Sequence, residues 1–540
     1  MPLRLFFFVA LRVESFVVFS SFFLVLLPVS LYNRHPKKKL LRMFRLYPLL
    51  LSGLFFALPL RAAKYFAFTP KALQAYEYAT SLRFGEAYTL MAQMKLEDPN
   101  NLIVHHIDNY IDFFTLYIQE DEADYRRLKK NRDLRLDKIK AGDRNSPYYL
   151  FVQADIRLQW ALARLRFEDY LGAFTEVSKA YKLLKENEEL FPDFMPNKKD
   201  LGILHAMVGT IPDSYKWGVK LLGGLDGTIA QGRKEVEQVL AYAQKNDFIF
   251  KEETAVLYAY LLLHLDNNEE EAWQAVAGSS LRPRENPMHC FVMANIAMRT
   301  GRNGKAIQLL EQRQTGKAYF PFPYLDYMLG LAKLRRLDKD ANPYFQRFVT
   351  HYQGRNFIKE AYQKMAWQEL INGNPTGYRG YMQACLEKGY SIAGGDKNAL
   401  QEAEHGVAPD ISLLKARLLF DGGYFQKGYQ ALAARRPDSF AYPEGQLEYY
   451  YRMGRLLHGL KRYDSALEYY RFTIEKGADS PYFYACNAAL QMGLIYESQG
   501  DPARARAAFE RCLNLSPEEY RTGLHQKAKS GLVRLQDSAG

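Results

Sequence analysis

Cysteine is scarce. The 540 residues hold four, Cys290, Cys385, Cys486 and Cys512, and none belongs to a CxxC pair. That spacing excludes a dense disulfide framework and the usual structural zinc sites, so the expectation is four buried free thiols. No GxSxG elbow, no HExxH helix and no cysteine-protease signature occurs, and no carboxylate pair stands out from the charges of helix surfaces. No stretch alternates apolar and polar residues as a strand would, and no hairpin dipeptide separates two such stretches. The expected chain is nearly all helix, with no cofactor, no metal and no catalytic residue, and so not an enzyme.

Acidic residues are almost missing from one place only. Residues 1–64 carry ten Lys/Arg against the single acid Glu14, which accounts for +9 of the net charge of +12. The remaining +3 is near neutral for the rest of the chain and removes the general electrostatic case for nucleic acid. Charged residues at 24% and hydrophobic residues at 48% are ordinary for a globular chain. The 39 tyrosines and the 14% of aromatic residues suit the packing of helix pairs.

The basic N-terminus contains two apolar stretches, Phe16–Tyr32 and Leu46–Leu60, separated by NRHPKKKLLRMFR. A cationic loop stays cytoplasmic, so the chain leaving the second stretch emerges on the far side of the membrane. The second stretch is short for a span and contains Pro48 and Pro59. Met43-Phe44-Arg45, the apolar run and Ala62-Ala63 instead read as a signal peptide over 43–63, although Arg61 is unfavourable three residues before the cleavage point. Residues 1–42 are then an over-extended start or a membrane segment. The alternative is an uncleaved two-segment membrane hairpin.

The chain is organised around Leu447–Tyr520. In one segment Met453-Gly454 is followed by Leu457, Tyr463, Ala466 and Tyr470. In the next, Met492-Gly493 is followed by Tyr496, Gly500, Ala505, Phe509 and Pro517. This pattern resembles the tetratricopeptide repeat, read here as that of an exported bacterial member. The resemblance implies two antiparallel helices per repeat, with Gly454, Ala466, Gly493 and Ala505 at the helix crossings. Phe509 then fills space toward the next repeat, and Pro517 stops the second helix. Such a unit cannot bury its apolar faces alone and must stack on neighbours, giving an all-α solenoid, a superhelix of antiparallel helix pairs behind a hydrophobic targeting segment.

Upstream, residues 71–101 repeat the rhythm. The spacing from Ala87 to Pro99 equals that from Ala505 to Pro517. Helices are expected over Leu102–Ile118, Asp121–Lys140 (one charged, solvated helix), Pro147–Leu165 and Asp169–Glu186, with a loop at Pro192–Lys199. Residues 202–234 break the rhythm. Ile211-Pro212, Leu221-Leu222-Gly223 and Gly227…Gly232 are similar to a segment of the eukaryotic repeat family named for inclusion-body clearance. Residues 65–245 are therefore read as a divergent N-terminal array, 246–440 as tetratricopeptide-like repeats, and 441–540 as clear tandem repeats ending in a capping helix, Thr522–Leu535. A loop is expected at Ser391–Asp396.

Two near-motifs are weighed against plainer readings. Gly227–Lys234 has the glycines of a phosphate loop but Arg233-Lys234 where Lys-Ser/Thr is needed, and no strand precedes it, so a helix start with a glycine turn is the better account. His105, His106, Asp108 and Asp112 crowd one helix, but ligand sets normally converge from several elements, so a partly exposed polar face is expected.

In this repeat the first helix lines the concave groove. Counting from the glycines puts Arg417, Tyr451, Arg455, Leu490 and Leu494 inward, with Asn487 at the rim. Arg417 and Arg455 can hold a peptide carboxylate bidentately, and Tyr451 can offer an aromatic platform. The plain alternative is a solvated surface. Two functional readings of different class follow. One is a non-catalytic scaffold of the periplasm or cell envelope that binds a protein or peptide in its groove. A membrane-anchored assembly factor differs from it only in keeping residues 1–60, its sole membrane contact. The other is an enzyme or transport component with its site in residues 198–234.

Overall fold

The computed structural model of the protein describes residues 63–211, 224–266, 268–440 and 442–537. The two apolar N-terminal stretches lie outside the described residues, as do Pro212 and Leu221–Gly223. Among the described residues no helix is long and apolar enough to cross a membrane.

Among the described residues the helices are, in chain order, α1 (Pro70–Thr80), α2 (Phe84–Glu97), α3 (Ile103–Gln119), α4 (Glu122–Leu128), α5 (Asn131–Ile139), α6 (Pro147–Arg166), α7 (Tyr170–Leu190), α8 (Met195–Gly209), α9 (Ile229–Lys245), α10 (Lys251–His264), α11 (Glu269–Ala277), α12 (Pro287–Arg299) and α13 (Asn303–Glu311). They continue as α14 (Tyr324–Arg336), α15 (Asn342–His351), α16 (Ile358–Ile371), α17 (Pro375–Glu387), α18 (Gly394–His405), α19 (Ile411–Asp421), α20 (Phe425–Ala433), α21 (Pro443–Gly459), α22 (Tyr463–Gly477), α23 (Tyr484–Ser498), α24 (Pro502–Asn514) and α25 (Arg521–Asp537). The described extended pairing is one isolated bridge, Tyr65 to Asn101. Consecutive helices pack pairwise, and each pair packs on the next, which is a tetratricopeptide-like solenoid.

Local sequence explains the helix starts. Thr69-Pro70, Ser146-Pro147, Asn286-Pro287, Asn374-Pro375 and Asp501-Pro502 each put a capping side chain before a proline, and in all five that side chain accepts a hydrogen bond from a first-turn N–H. Proline's fixed φ and missing N–H cost nothing there.

The repeat positions pack as the pattern implies. A Cβ on Gly493 would stand 2.4 Å from the Phe509 ring, and one on Gly454 2.7 Å from the Tyr470 ring. Ala466, Ala505 and Phe509 are fully buried. Phe509 also lies against Gly531 of α25, so it fills the space toward the following helix. Pro517 is buried but does not end α24, which stops at Asn514 with an extended Leu515.

The solenoid curls back on itself. The Phe320 N–H donates to the Leu82 carbonyl at 2.7 Å, and Phe84 stacks on Phe320. Glu120 accepts from Asn356, and Arg355 pairs with Glu168. Further on, the α12–α13 and α19–α20 turns meet at Gly301 and Gly423, where a Cβ on Gly423 would stand 2.2 Å from the Gly301 oxygen. One continuous core therefore runs from Phe66 to Ala332.

Three local expectations are corrected. Asp121–Lys140 is two helices, α4 and α5, and Arg135 is buried, donating to Asp112 at 2.5 Å. Pro192–Lys199 is not a loop, because α8 starts at Met195 and carries a fully buried Lys199. Ser391–Asp396 ends inside α18, and Asp396 is fully buried. In each case a charged sequence reads as solvated, but the partner that neutralises or caps it is far away in the chain.

Asp396 supplies a pH prediction. Its carboxylate accepts from the Phe357 and Glu360 N–H groups at 2.7 and 3.0 Å, capping α16, whose own N-cap residue Phe357 gives no side-chain bond. Burial, with smaller contributions from Glu360 and Glu120, raises its pKa from 3.8 to about 7. A carboxyl whose folded pKa lies above its unfolded value stabilises fully below pH 3.8, and that stabilisation is lost as the pH rises to about 7. The unfolding midpoint of the native chain is expected to fall between about pH 4 and 7. Asp396→Asn should flatten that fall while lowering the midpoint overall through one lost capping bond. An unchanged slope in a thermal scan series would contradict the assignment.

The four thiols are free and buried, as expected. The fold also brings the sulfurs of Cys486 and Cys512 to 3.5 Å.

Candidate peptide-binding groove

The C-terminal groove is built by the first helices of successive pairs, α19, α21 and α23, with α16 before them and α25 after. Arg417 on α19 is half-buried, its guanidinium 5.0 Å from the ring centre of Trp367 on α16. Arg455 on α21 is half-buried, lies 4.4 Å from the ring centre of Phe420, and donates to the Tyr451 hydroxyl at 3.2 Å. Asn487 on α23 donates to the same hydroxyl at 2.8 Å. The fold thus joins Tyr451, Arg455 and Asn487 into one network.

Two groove assignments are corrected. Tyr451 is 3% exposed and Leu490 1% exposed. Tyr451 cannot serve as an open platform. Its ring packs on Phe483 and Tyr484, and its hydroxyl orients Arg455 and Asn487. Leu490 belongs to the core between α23 and its neighbours. The one-after and three-before rule fails there because stacking on the next pair covers part of the inner helix face. Arg417, Arg455, Asn487 and Leu494 keep partial exposure.

The structure adds residues that the repeat pattern does not mark. Lys527 on α25 is exposed, yet surrounding protein lowers its pKa, with Arg455 lowering it further and Glu269 opposing. Burial likewise lowers His264, helped by Arg299 and Lys527, and raises Glu269 against the opposing fields of Arg302, Arg455 and Lys527. Charges from α10–α13, α21 and α25 thus act on one another. Helix α25 packs on α24 and α23.

The sequence's other candidates are held in structural pairs. His106 meets Asp155 at 2.5 Å, and Asp112 binds Arg135 and Asn131, so His105, His106, Asp108 and Asp112 do not converge. Among the described residues no group of three or more His, Cys, Asp or Glu could hold a metal ion. Gly227–Lys234 is a helix start. Thr228 caps α9 through the Gln231 N–H, and Gly232 admits α8, where a Cβ would stand 2.1 Å from the Gly202 oxygen. Arg233 is engaged with Glu237, Asp266 and Glu271. The described parts of residues 198–234 bridge the α6–α7 and α10–α11 pairs.

Residues 447–471 and 487–519 match a known family model. The match is to the tetratricopeptide repeat. It covers α21–α22 and α23–α24, the pairs that carry Arg455 and Asn487. No curated protein matches the chain. Among solved structures it is similar to a chain in the structure of Naa15/Naa10 bound to HypK-THB. There the identity is 14% over 86% of this chain and 66% of that one, with a TM-score of 0.25. The chain thus spans just under two thirds of that chain's length.

Proposed function

We propose that the protein is a non-catalytic interaction scaffold of the cell envelope, which takes a protein or peptide partner into the concave face of its tetratricopeptide-like repeats. One observation carries this reading. Arg417 and Arg455 lie partly exposed on consecutive inner helices, each steadied on an aromatic face, and neither has a carboxylate at ion-pair distance among the described residues. Side chains held this way are pre-organised to receive a ligand.

A photo-crosslinking residue at Leu494, which is half-buried beside this network, tests it. The expected result is one dominant adduct in envelope extracts, reduced at least severalfold by Arg417→Gln with Arg455→Gln. An adduct pattern indifferent to both substitutions would dismiss the groove. Arg455→Gln is preferable to Arg455→Glu, since a reversed charge beside Phe420 and Tyr451 would also disturb packing.

The envelope location is supported by the signal-peptide pattern of residues 43–63. Mass spectrometry of the mature protein should find an N-terminus near Lys64. Intact peptides from Phe16–Tyr32 would instead favour the membrane-anchored form.

A further inference from the structure

We propose that Cys486 and Cys512 are a reactive dithiol, which a small-molecule or protein disulfide oxidises to a bond that staples the α23–α24 pair. These thiols take no part in the groove network, and their chemistry does not depend on where the chain resides.

Their placement is specific. Cys486 lies in the first turn of α23 and Cys512 in the last turn of α24. The turn at residues 499–501 joins the other ends of the two helices. The thiols therefore meet at the open end of the helix hairpin, with their sulfurs 3.5 Å apart. A disulfide bond requires each sulfur to move by about 0.7 Å. Cys290 and Cys385 lack such a neighbour. Cys290 donates to the Leu309 carbonyl at 3.4 Å, and among the described residues neither has a second sulfur at hydrogen-bond distance.

The electrostatics separate the pair further. Burial pushes the Cys290 and Cys385 thiols up to about 12. Cys486 is lowered instead, because the Cys512 thiol donates to its sulfur and outweighs burial, while the same bond raises Cys512. Cys486 is thus the nucleophile. Its thiolate attacks one sulfur of a disulfide such as oxidised glutathione, whose S–S bond breaks and releases one thiol. Cys512 then loses its proton, attacks the Cys486 sulfur of the mixed disulfide and releases the second thiol. The pair gives up two electrons and two protons, and two molecules of reduced glutathione carry them away.

Access is controlled by α25. Both sulfurs are buried, and the Leu524 carbonyl of α25 accepts from Cys512 at 3.9 Å. Helix α25 packs on both α23 and α24, so local opening of this helix precedes reaction. Once made, the bond closes one end of the pair and the turn closes the other. That covalent loop restricts the unfolded chain between residues 26 apart.

The test incubates the reduced, folded full chain with equal concentrations of reduced and oxidised glutathione. Samples are acid-quenched, denatured and alkylated, and thiols are counted by intact mass. The count should fall from four to two, with one bridged peptide joining Cys486 to Cys512, and dithiothreitol should restore four. Cys512→Ala should accumulate a glutathione adduct at Cys486 and no bridged peptide. Gly531→Ala, whose Cβ would stand 2.5 Å from the Phe509 ring, pushes α25 outward and should speed oxidation by roughly threefold or more. In the oxidised chain, amide exchange should slow by about tenfold or more across α23 and α24. It should stay unchanged in the core from Phe66 to Ala332.

Four thiols persisting in both the native chain and Gly531→Ala would overturn the dithiol. A bridge that includes Cys290 or Cys385 would do the same. A Cys486–Cys512 bridge that leaves exchange across α23 and α24 unchanged, or makes it faster, would overturn the staple.

Discussion

Lys199→Ala is expected to destabilise the N-terminal core by about 3–5 kcal/mol, the cost of leaving a buried charge without its partner. Lys199 is fully buried on α8. Its ammonium pairs with Glu253 of α10, lies 3.2 Å from Asp200, and sits 4.7 Å from the ring centre of Phe250. Glu253 also accepts from the Tyr76 hydroxyl of α1, so the lysine's partner ties three sequence-distant helices together. Removing the ammonium leaves carboxylates in a site walled by Phe68, Phe151 and Phe250. The midpoint of thermal unfolding should drop by roughly 5–10 °C, since each kcal/mol shifts a core of this size by about 2 °C. Lys199→Met combined with Glu253→Gln should recover much of the loss, because an apolar replacement of a buried pair is often neutral. A single Lys199→Ala variant that melts with the native chain would mean that the α8–α10 contact is misplaced.

The second large effect concerns the crossing of α23 and α24. Ala505→Trp should cost about 1–3 kcal/mol or more through overpacking. Ala505 is fully buried, and the neighbouring approach of Gly493 to Phe509 leaves no slack. Because a solenoid's stability is nearly a sum over neighbouring repeats, the loss should stay local. Amide exchange should accelerate across α23–α25 while the core from Phe66 to Ala332 stays protected. Gly493→Ala should act the same way more mildly, and shortening the ring with Phe509→Leu should partly rescue it. Uniform exchange along the whole chain, or an unchanged melting temperature, would show that the repeat register is wrong.

These two sites differ in how readable they are. The Gly493–Ala505–Phe509 arrangement follows from spacing, because both helices of a pair come from one short segment and their crossing demands small residues at fixed offsets. The capped prolines behave the same way: Asp501-Pro502 is a local instruction. Lys199 is the opposite case. NKKD reads as a turn in water, and only the folded chain supplies Glu253, 54 residues on. Asp396 likewise looks like a loop residue until Phe357 and Glu360 present their N–H groups from a different helix.

The candidate groove divides along the same line. The repeat glycines pointed to Arg417 and Arg455, and the helix face they occupy keeps them partly exposed. They pointed equally to Tyr451 and Leu490, which stacking on the next pair buries. No offset within a repeat marks Trp367, the ring beneath Arg417.

What the sequence determined by itself was an all-helical chain of stacked pairs, their crossings and caps, four thiols without a framework, and a charge excess confined to the first 64 residues. Those properties depend on neighbours within one helix pair. The tertiary structure alone decided the closure of α1–α3 onto residues 320–357 and the meeting of Gly301 with Gly423. Each of these depends on small rotations between successive pairs that accumulate over many repeats. No local pattern of residues records that sum.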